Sequence, residues 1–278
     1  MSGNAARPAR RAAVLGSPIG HSRSPQLHLA AYRELGLDWS YERIECDAAG
    51  LPGLVAGLGP EWVGLSVTMP GKEAALAVAD SRTDRAVLVG SANTLVRTGV
   101  GWHADCTDVD GVAGALRDAG VRRVERAVVL GAGGTARPAL LALRDLGATE
   151  VTVVARDRGR AAGALELAER LGLRADHTDF AVGPLGERCA AADVVISTVP
   201  AAAAGAVAAA VAAAPVVLDA LYHPWPTPLA SAVAVAGHTV VSGLEMLLNQ
   251  AFGQVEQFTG GQAPRAAMRA ALAATLQS

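Results

Sequence analysis

The chain has 278 residues, enough for one large domain or two ordinary ones, and 51% of them are apolar, enough for a sizeable core. A net charge of −2 provides no basic field for nucleic acid. The three cysteines, Cys46, Cys106 and Cys189, are far apart and form no Cys-x-x-Cys, which argues against a disulfide framework or a zinc site and for a reducing cytoplasm.

The residues through Arg11 are small and basic with no long apolar segment behind them, and read as a loose tail rather than a signal peptide. Arg11 to Gly16 reads as a strand. Ser24 followed by Pro25 marks a helix start, serine as N-cap and proline in the first turn, and Leu27 to Leu35 carry that helix to Gly36. Ser24 is then either a plain cap or, with Ser22, part of a hydroxyl cradle for a carboxylate beside exposed helix N–H groups. His21 and His28 have no metal-ligand spacing and read as structural, so no metal is expected. Trp39 to Glu45 is a second strand, Leu51 to Leu58 a short helix and Trp62 to Thr68 a third strand. Pro70 opens the next helix, which places Lys72 in its first turn. A cation there opposes the helix dipole. Lys72 is either an exposed side chain whose stem escapes that field, or a general base that exploits the conflict.

Strands are expected from Asn93 to Val96 and from Gly101 to Asp105, and Cys106-Thr-Asp-Val-Asp-Gly111 starts a helix. Thr107 and Asp110 have capping-box spacing, and Asp108 is a dipole-favoured acid in the first turn. Val128-Val-Leu130 is a strand that runs straight into Gly131-Ala-Gly-Gly134, and a helical pattern opens at Thr135. Glycines between a strand and a helix are the context a dinucleotide-binding turn needs. The backbone can approach a pyrophosphate, and the helix start favours the anion. The literal spacing is Gly-x-Gly-Gly, with Arg137 where a third glycine would stand; a tight turn without a ligand is the other reading. Glu150 to Val154 is the next strand. Beyond it, where an NAD-specific chain carries an acid, stand Arg156 and, a helical turn on, Arg160, a pair suited to a 2′-phosphate; Asp157 keeps NAD use open.

The uncharged run from Val194 to Leu218 is long enough to span a membrane, but Pro200 and Pro215 interrupt it and alanine dominates its middle. It reads as strand, helix, strand, with no membrane partner. Tyr222 lies in a proline-rich loop from Ala220 to Pro228. Two closing helices follow, Gly243 to Phe258 and Pro264 to Leu276, with Gln250 a polar residue in an apolar stretch. Strand–helix alternation from Val128 onward implies a parallel doubly wound sheet, and the change of pattern puts a domain boundary near Thr107.

Seven stretches, in order, are Gly16-Ser-Pro-Ile-Gly-His-Ser-Arg-Ser-Pro25, Ser66-Val-Thr-Met-Pro-Gly-Lys72, Ser91-Ala-Asn-Thr-Leu95, Thr107-Asp-Val-Asp-Gly111, Gly131-Ala-Gly-Gly-Thr-Ala-Arg137, Asp219-Ala-Leu-Tyr-His-Pro-Trp-Pro-Thr-Pro-Leu229 and Gly243-Leu-Glu-Met-Leu-Leu-Asn-Gln-Ala251. Together they resemble the shikimate dehydrogenase family, over nearly the whole chain from Val14 to Gly260. The resemblance implies an α/β protein with an N-terminal substrate-binding domain (11–107 and 243–278), a Rossmann-type NADP-binding domain (108–242) and a cleft between them. It implies reversible NADPH-dependent reduction of 3-dehydroshikimate to shikimate in aromatic amino-acid biosynthesis, by a cytoplasmic monomer or homodimer. Ser22, Ser24 and Thr68 would bind the substrate carboxylate. Lys72 and Asp108 would be the catalytic pair at the reacting oxygen. Asn93, Tyr222 and Gln250 would bind substrate hydroxyls or carboxylate. Gly131, Ala132, Gly133, Gly134 and Thr135 would hold the pyrophosphate, Arg156 and Arg160 would select NADP, and Asp84, Ala220 and Gly243 match further cofactor-side positions. The chain departs from the family's common pattern at Ser66 and Cys106, each an asparagine in many members, and at Leu29. The rival activities are an NAD-dependent quinate/shikimate dehydrogenase of catabolic role and a dinucleotide-binding regulator without turnover.

Overall fold

The structure, a computed structural model, describes residues 9–275. The tail up to position 8 and Leu276 at the expected end of the last helix lie outside the described residues. The chain divides into two compact units, 1–107 with 251–278, and 108–250.

The first unit runs β1 (Arg11–Gly16), α1 (Ser24–Glu34), β2 (Ser40–Glu45), α2 (Leu51–Ala56), β3 (Trp62–Val67), α3 (Lys72–Val78), β4 (Ser81–Arg82), α4 (Asp84–Val89), β5 (Thr94–Thr98) and β6 (Gly101–Asp105). Its sheet has the order β2-β1-β3-β5-β6-β4. β1 lies parallel to β2 and β3, while β5 is antiparallel to both its neighbours. Every residue of β3 is buried, the pattern of a central strand covered on both faces. Leu15, Leu65 and Leu95 are fully buried in the cluster beneath it; each such side chain contributes roughly 1.5–3 kcal/mol.

The second unit runs α5 (Asp108–Asp118), β7 (Arg126–Leu130), α6 (Ala136–Asp145), β8 (Glu150–Val154), α7 (Arg158–Arg170), β9 (Arg174–Thr178), α8 (Val182–Ala190), β10 (Val194–Ser197), α9 (Ala201–Ala206), α10 (Ala208–Val211), β11 (Val216–Asp219), α11 (Pro228–Val235) and β12 (Thr239–Ser242). Its six strands are all parallel, in the order β12-β11-β10-β7-β8-β9. This is the doubly wound order, with a switch point between β7 and β10. α12 (Gly243–Thr259) starts in this unit and ends in the first, which α13 (Arg265–Thr275) completes by packing on α1.

The second unit extends to residue 250, past the 242/243 division expected from the sequence. The reason is close packing of α12 on α5. A Cβ on Gly111 would lie 2.8 Å from the Met246 carbonyl oxygen, and one on Gly114 would lie 2.3 Å from Asn249 Oδ1. Asn249 also donates to Asp118 at 3.1 Å. Several short elements, β4, α4, β9, α8, α11 and β12, have no counterpart among the elements expected from the sequence. β9 is an edge strand with no fully buried residue, so its sequence carries no apolar run. The alanine-rich segment forms two short helices instead of one, and among the described residues no helix is long and apolar enough to cross a membrane.

Candidate active site

The glycine turn stands at the switch point. Gly131 has φ +103°, and a Cβ there would lie 2.4 Å from Thr198 Oγ1, so this position requires glycine. The Thr198 hydroxyl donates to the Leu130 carbonyl at 2.8 Å, which joins the ends of β7 and β10. Gly133 and Gly134 differ: a Cβ on either meets nothing within 4 Å. Packing does not demand them, and the open space they leave suits a ligand at the N-terminus of α6. A cavity of about 810 Å³ opens here, lined by Gly131, Ala132, Gly133, Val199, Arg156 and Arg160. Thr135 is the N-cap position of α6, without a capping side-chain bond. These residues fit a dinucleotide, with two arginines at the rim beyond β8.

Asp157 is occupied. It caps α7, accepting the Arg160 N–H at 2.9 Å and pairing with the Arg160 guanidinium at 3.2 Å. The Arg160 N–H and charge hold its carboxyl below the usual range. Asp157 therefore neutralises the helix start that the arginines would otherwise oppose. Arg156 stays exposed. A Cβ on Gly243 would lie 2.2 Å from the Ala220 carbonyl, so these two expected cofactor residues touch each other through backbone. Asp84 lies in the first unit, exposed at the start of α4 with Thr83 as cap; its cofactor role rests on the resemblance alone.

In the first unit, Ser24 is not the N-cap. The helix starts at Ser24 itself, and Ser22 Oγ accepts the Ser24 N–H at 3.3 Å. The Ser24 hydroxyl, on a residue only 4% exposed, is thus not spent on capping. Thr68 follows β3, its N–H bound to the Leu15 carbonyl at 2.8 Å. Lys72 opens α3 and is only 8% exposed, which rules out the reading of a solvated lysine. Its carbonyl accepts the Ala92 N–H at 2.9 Å and so anchors the approach to Asn93. Asn93 is buried just ahead of β5. Its Oδ1 accepts the Thr107 N–H at 2.7 Å and the Thr94 hydroxyl at 2.9 Å, and its Nδ2 donates to Thr107 at 3.0 Å.

In the second unit, Asp108 is the first residue of α5, 2% exposed and directly after the anchored Thr107. Tyr222 and Gln250 are half-buried. The Tyr222 loop is pinned at its ends. Asp219 Oδ2 accepts the Thr227 hydroxyl at 2.6 Å, and Asp219 Oδ1 accepts the Leu221 N–H at 3.2 Å. Burial raises the Asp219 carboxyl against these bonds.

Two groups of residues escaped the sequence reading. Asp105 binds Arg85 at 2.5 and 2.6 Å, and also accepts from Thr83 and Gln257. Burial alone would raise its carboxyl, but Arg85 and the hydroxyl and amide donors outweigh burial and hold it at about 2. The second group centres on Gln254, one turn beyond Gln250 on α12. It joins Ser66, His28, Asn93 and Thr94 in a buried row. The signal in the sequence is a second glutamine at helical spacing from the first. Ser66, a departure from the family pattern, is thereby accounted for.

Together, the switch-point crevice and the buried polar site define a dinucleotide-dependent oxidoreductase. Residues 14–95 match the model of the shikimate dehydrogenase substrate binding domain, and residues 243–273 that of the shikimate 5′-dehydrogenase C-terminal domain. The chain is 40% identical to shikimate dehydrogenase (NADP(+)) of Halobacterium salinarum, over 95% of this chain and 98% of that protein. It is similar to the crystal structure of Mycobacterium tuberculosis shikimate dehydrogenase, with 61% identity, a TM-score of 0.91 and coverage of 95% and 99% of the two chains. It is also similar to shikimate 5-dehydrogenase of Thermus thermophilus in complex with NADP(H) and shikimate, at 31% identity, TM-score 0.79 and 95% and 99% coverage. The chain belongs to the shikimate dehydrogenase family.

Proposed function

We infer that this chain interconverts 3-dehydroshikimate and shikimate with NADP as redox partner. Bound nicotinamide supplies or accepts the hydride at the ring carbon that carries the reacting oxygen. The unit 1–107 with 251–278 binds substrate and the unit 108–250 binds NADP. Ser22, Ser24 and Thr68 hold the carboxylate, and Asn93, Tyr222 and Gln250 orient the ring through its polar groups. Lys72 and Asp108 meet the reacting oxygen. In reduction they deliver its proton, and the Lys72 ammonium stabilises the negative charge that develops there; in oxidation they take the proton back.

The observation that carries this reading is the burial of Lys72 at the start of α3, next in space to the anchored Asn93 strand. A lysine buried there against the helix dipole lowers stability, and a chemical role accounts for its presence. Arg156 and Arg160 support a 2′-phosphate, and the commitment of Asp157 to its cap weighs against the NAD-dependent rival. The three cysteines are buried and form no disulfide among the described residues, which supports a reducing cytoplasm; the family resemblance suggests a monomer or homodimer.

The test is initial rates of shikimate oxidation with NADP and with NAD, and with quinate in place of shikimate, on the native chain and on Lys72→Ala. Strong NADP preference and a kcat loss of about 10²–10⁴ in the variant are expected. Equal use of NAD with turnover of quinate would move the assignment to the catabolic rival. Dinucleotide binding without any turnover would leave only a regulator.

A further inference from the structure

The buried row around Gln254 does more than fill the first unit. It ties α1, which carries Ser24 at its start, to Asn93, two ends of the first unit's share of the expected substrate site. Its members come from five elements and all lie within 9% exposure: Ser22 and Ser24 beside α1, Tyr41 on β2, Ser66 on β3, Asn93 and Thr94 at β5, and Gln254 on α12.

The direction of every proton in the row follows from one atom. The Asn93 carbonyl can only accept, so the Gln254 atom 3.0 Å from it must be Nε2. Nε2 also donates to Thr94 Oγ1 at 3.1 Å. Gln254 Oε1 then faces Ser66 Oγ at 2.7 Å and His28 Nε2 at 3.3 Å, and must accept from both. His28 is thus the Nε2–H tautomer. The single Ser66 proton goes to Gln254, so Tyr41, 2.6 Å away, donates to Ser66. His28, bonded to Gln254 and stacked on Tyr41 at 4.0 Å between ring centroids, lies one turn after Ser24 on α1, so the row meets the Ser22–Ser24 pair through that helix turn. Ser22 in turn donates to Ser24 at 3.3 Å. On the other side, the Thr94 hydroxyl passes its proton to Asn93 Oδ1 at 2.9 Å.

We propose that Gln254 is a positioning residue for the substrate: its amide ties the Ser22–Ser24 carboxylate cradle to the Asn93 hydroxyl site as one rigid unit of fixed spacing. This rests on the assignment of Ser22, Ser24 and Asn93 to substrate. Gln254 is 2% exposed and its amide is committed to protein partners; it acts through His28 and Ser66 toward one end and through the Asn93 backbone and Thr94 toward the other. A glutamine is the residue for this task because one end must accept twice while the other donates twice. A network satisfied in this way holds a single geometry, and removing its centre frees both ends.

Three readouts test it. Gln254→Met keeps the volume and loses every bond; the expected result is a shikimate KM raised about tenfold or more, with the NADP KM within twofold. Gln254→Glu keeps the acceptor and loses the donor until the carboxyl takes a proton. Its shikimate KM, relative to the native chain at the same pH, is expected to be high at pH 8 and to recover towards pH 6. In a double-mutant cycle, Ser24→Ala and Asn93→Ala are expected to be non-additive in the native background and additive in Gln254→Met. Ser66→Ala, which removes only the Tyr41 and Gln254 bonds of one hydroxyl, is expected to lose the same coupling and supplies the readout where Gln254→Met fails to fold. Shikimate KM values within twofold of native in both Gln254 variants, or equal shifts in the shikimate and NADP KM, would overturn the proposal. If Ser24→Ala and Asn93→Ala themselves leave the shikimate KM unchanged, the assignment of the site fails, and the proposal with it.

Discussion

His28 sets an acid limit on the first unit. The imidazole is fully buried, stacked on Tyr41 at 4.0 Å between ring centroids, and its Nδ1 has no partner among the described residues. Burial pushes its pKa down to about 3 from 6.5, the bond to Gln254 opposing only in part. A group that is neutral when folded and basic when unfolded takes up protons on unfolding. Its contribution to stability is complete above pH 6.5 and is lost as the pH falls towards 3, at about 1.4 kcal/mol per pH unit. Between pH 6 and pH 4 the native chain therefore loses about 3 kcal/mol through this one ring. His28→Gln keeps an N–H donor for Gln254 and removes the titration. Urea unfolding at pH 7, 6, 5 and 4, followed by fluorescence of the tryptophans, measures both chains. The variant is expected to be less stable at pH 7 by about 1 kcal/mol and more stable than the native chain at pH 4. A constant difference between the two curves from pH 7 to pH 4 would refute the reasoning, since it would mean that His28 carries no proton linkage.

Other substitutions probe the rest of the molecule. Arg156→Ala is expected to raise the NADP KM about tenfold or more and to leave the NAD KM nearly unchanged, because only the 2′-phosphate loses its partner. Gly131→Ala combines a positive φ with a Cβ 2.4 Å from Thr198 Oγ1; dinucleotide binding measured by fluorescence titration should weaken at least tenfold, while β7 and β10 stay folded by circular dichroism. Asp105→Asn strands the Arg85 charge and should cost about 2–4 kcal/mol at pH 7. In the native chain the Asp105 contribution is present above about pH 4 and disappears as the pH falls through about 2, so the difference between the two chains should shrink in that window.

The sequence marks strand ends and helix starts more clearly than it marks edge strands and short helices. The positions of Gly131 to Thr135, Lys72 and Asp108 at a strand end or a helix start are legible because local chemistry is strongly biased there. The edge strand β9, by contrast, is polar because it is half-solvated, and six-residue helices such as α4 carry too few turns to show a period. Ser24 lies one position inside the cap expected of it, since Ser-Pro marks a helix start equally well with the serine just within the helix.

What the sequence determined by itself is the order of the main strands and helices, the glycine turn between β7 and α6 and the absence of a basic net charge. These follow from periodicity, glycine and charge, which act over a few neighbouring positions. Only the tertiary structure decided that Lys72 is buried rather than solvated, that Asp157 is committed to a cap, and that α12 leaves the second unit at residue 250. It also decided that Gln254 lies against Ser66 and Asn93, which are 188 and 161 positions away in the chain. The physical reason is that a buried polar atom takes its partner from whatever the packing of distant elements brings within about 3 Å, and no local pattern encodes that distance.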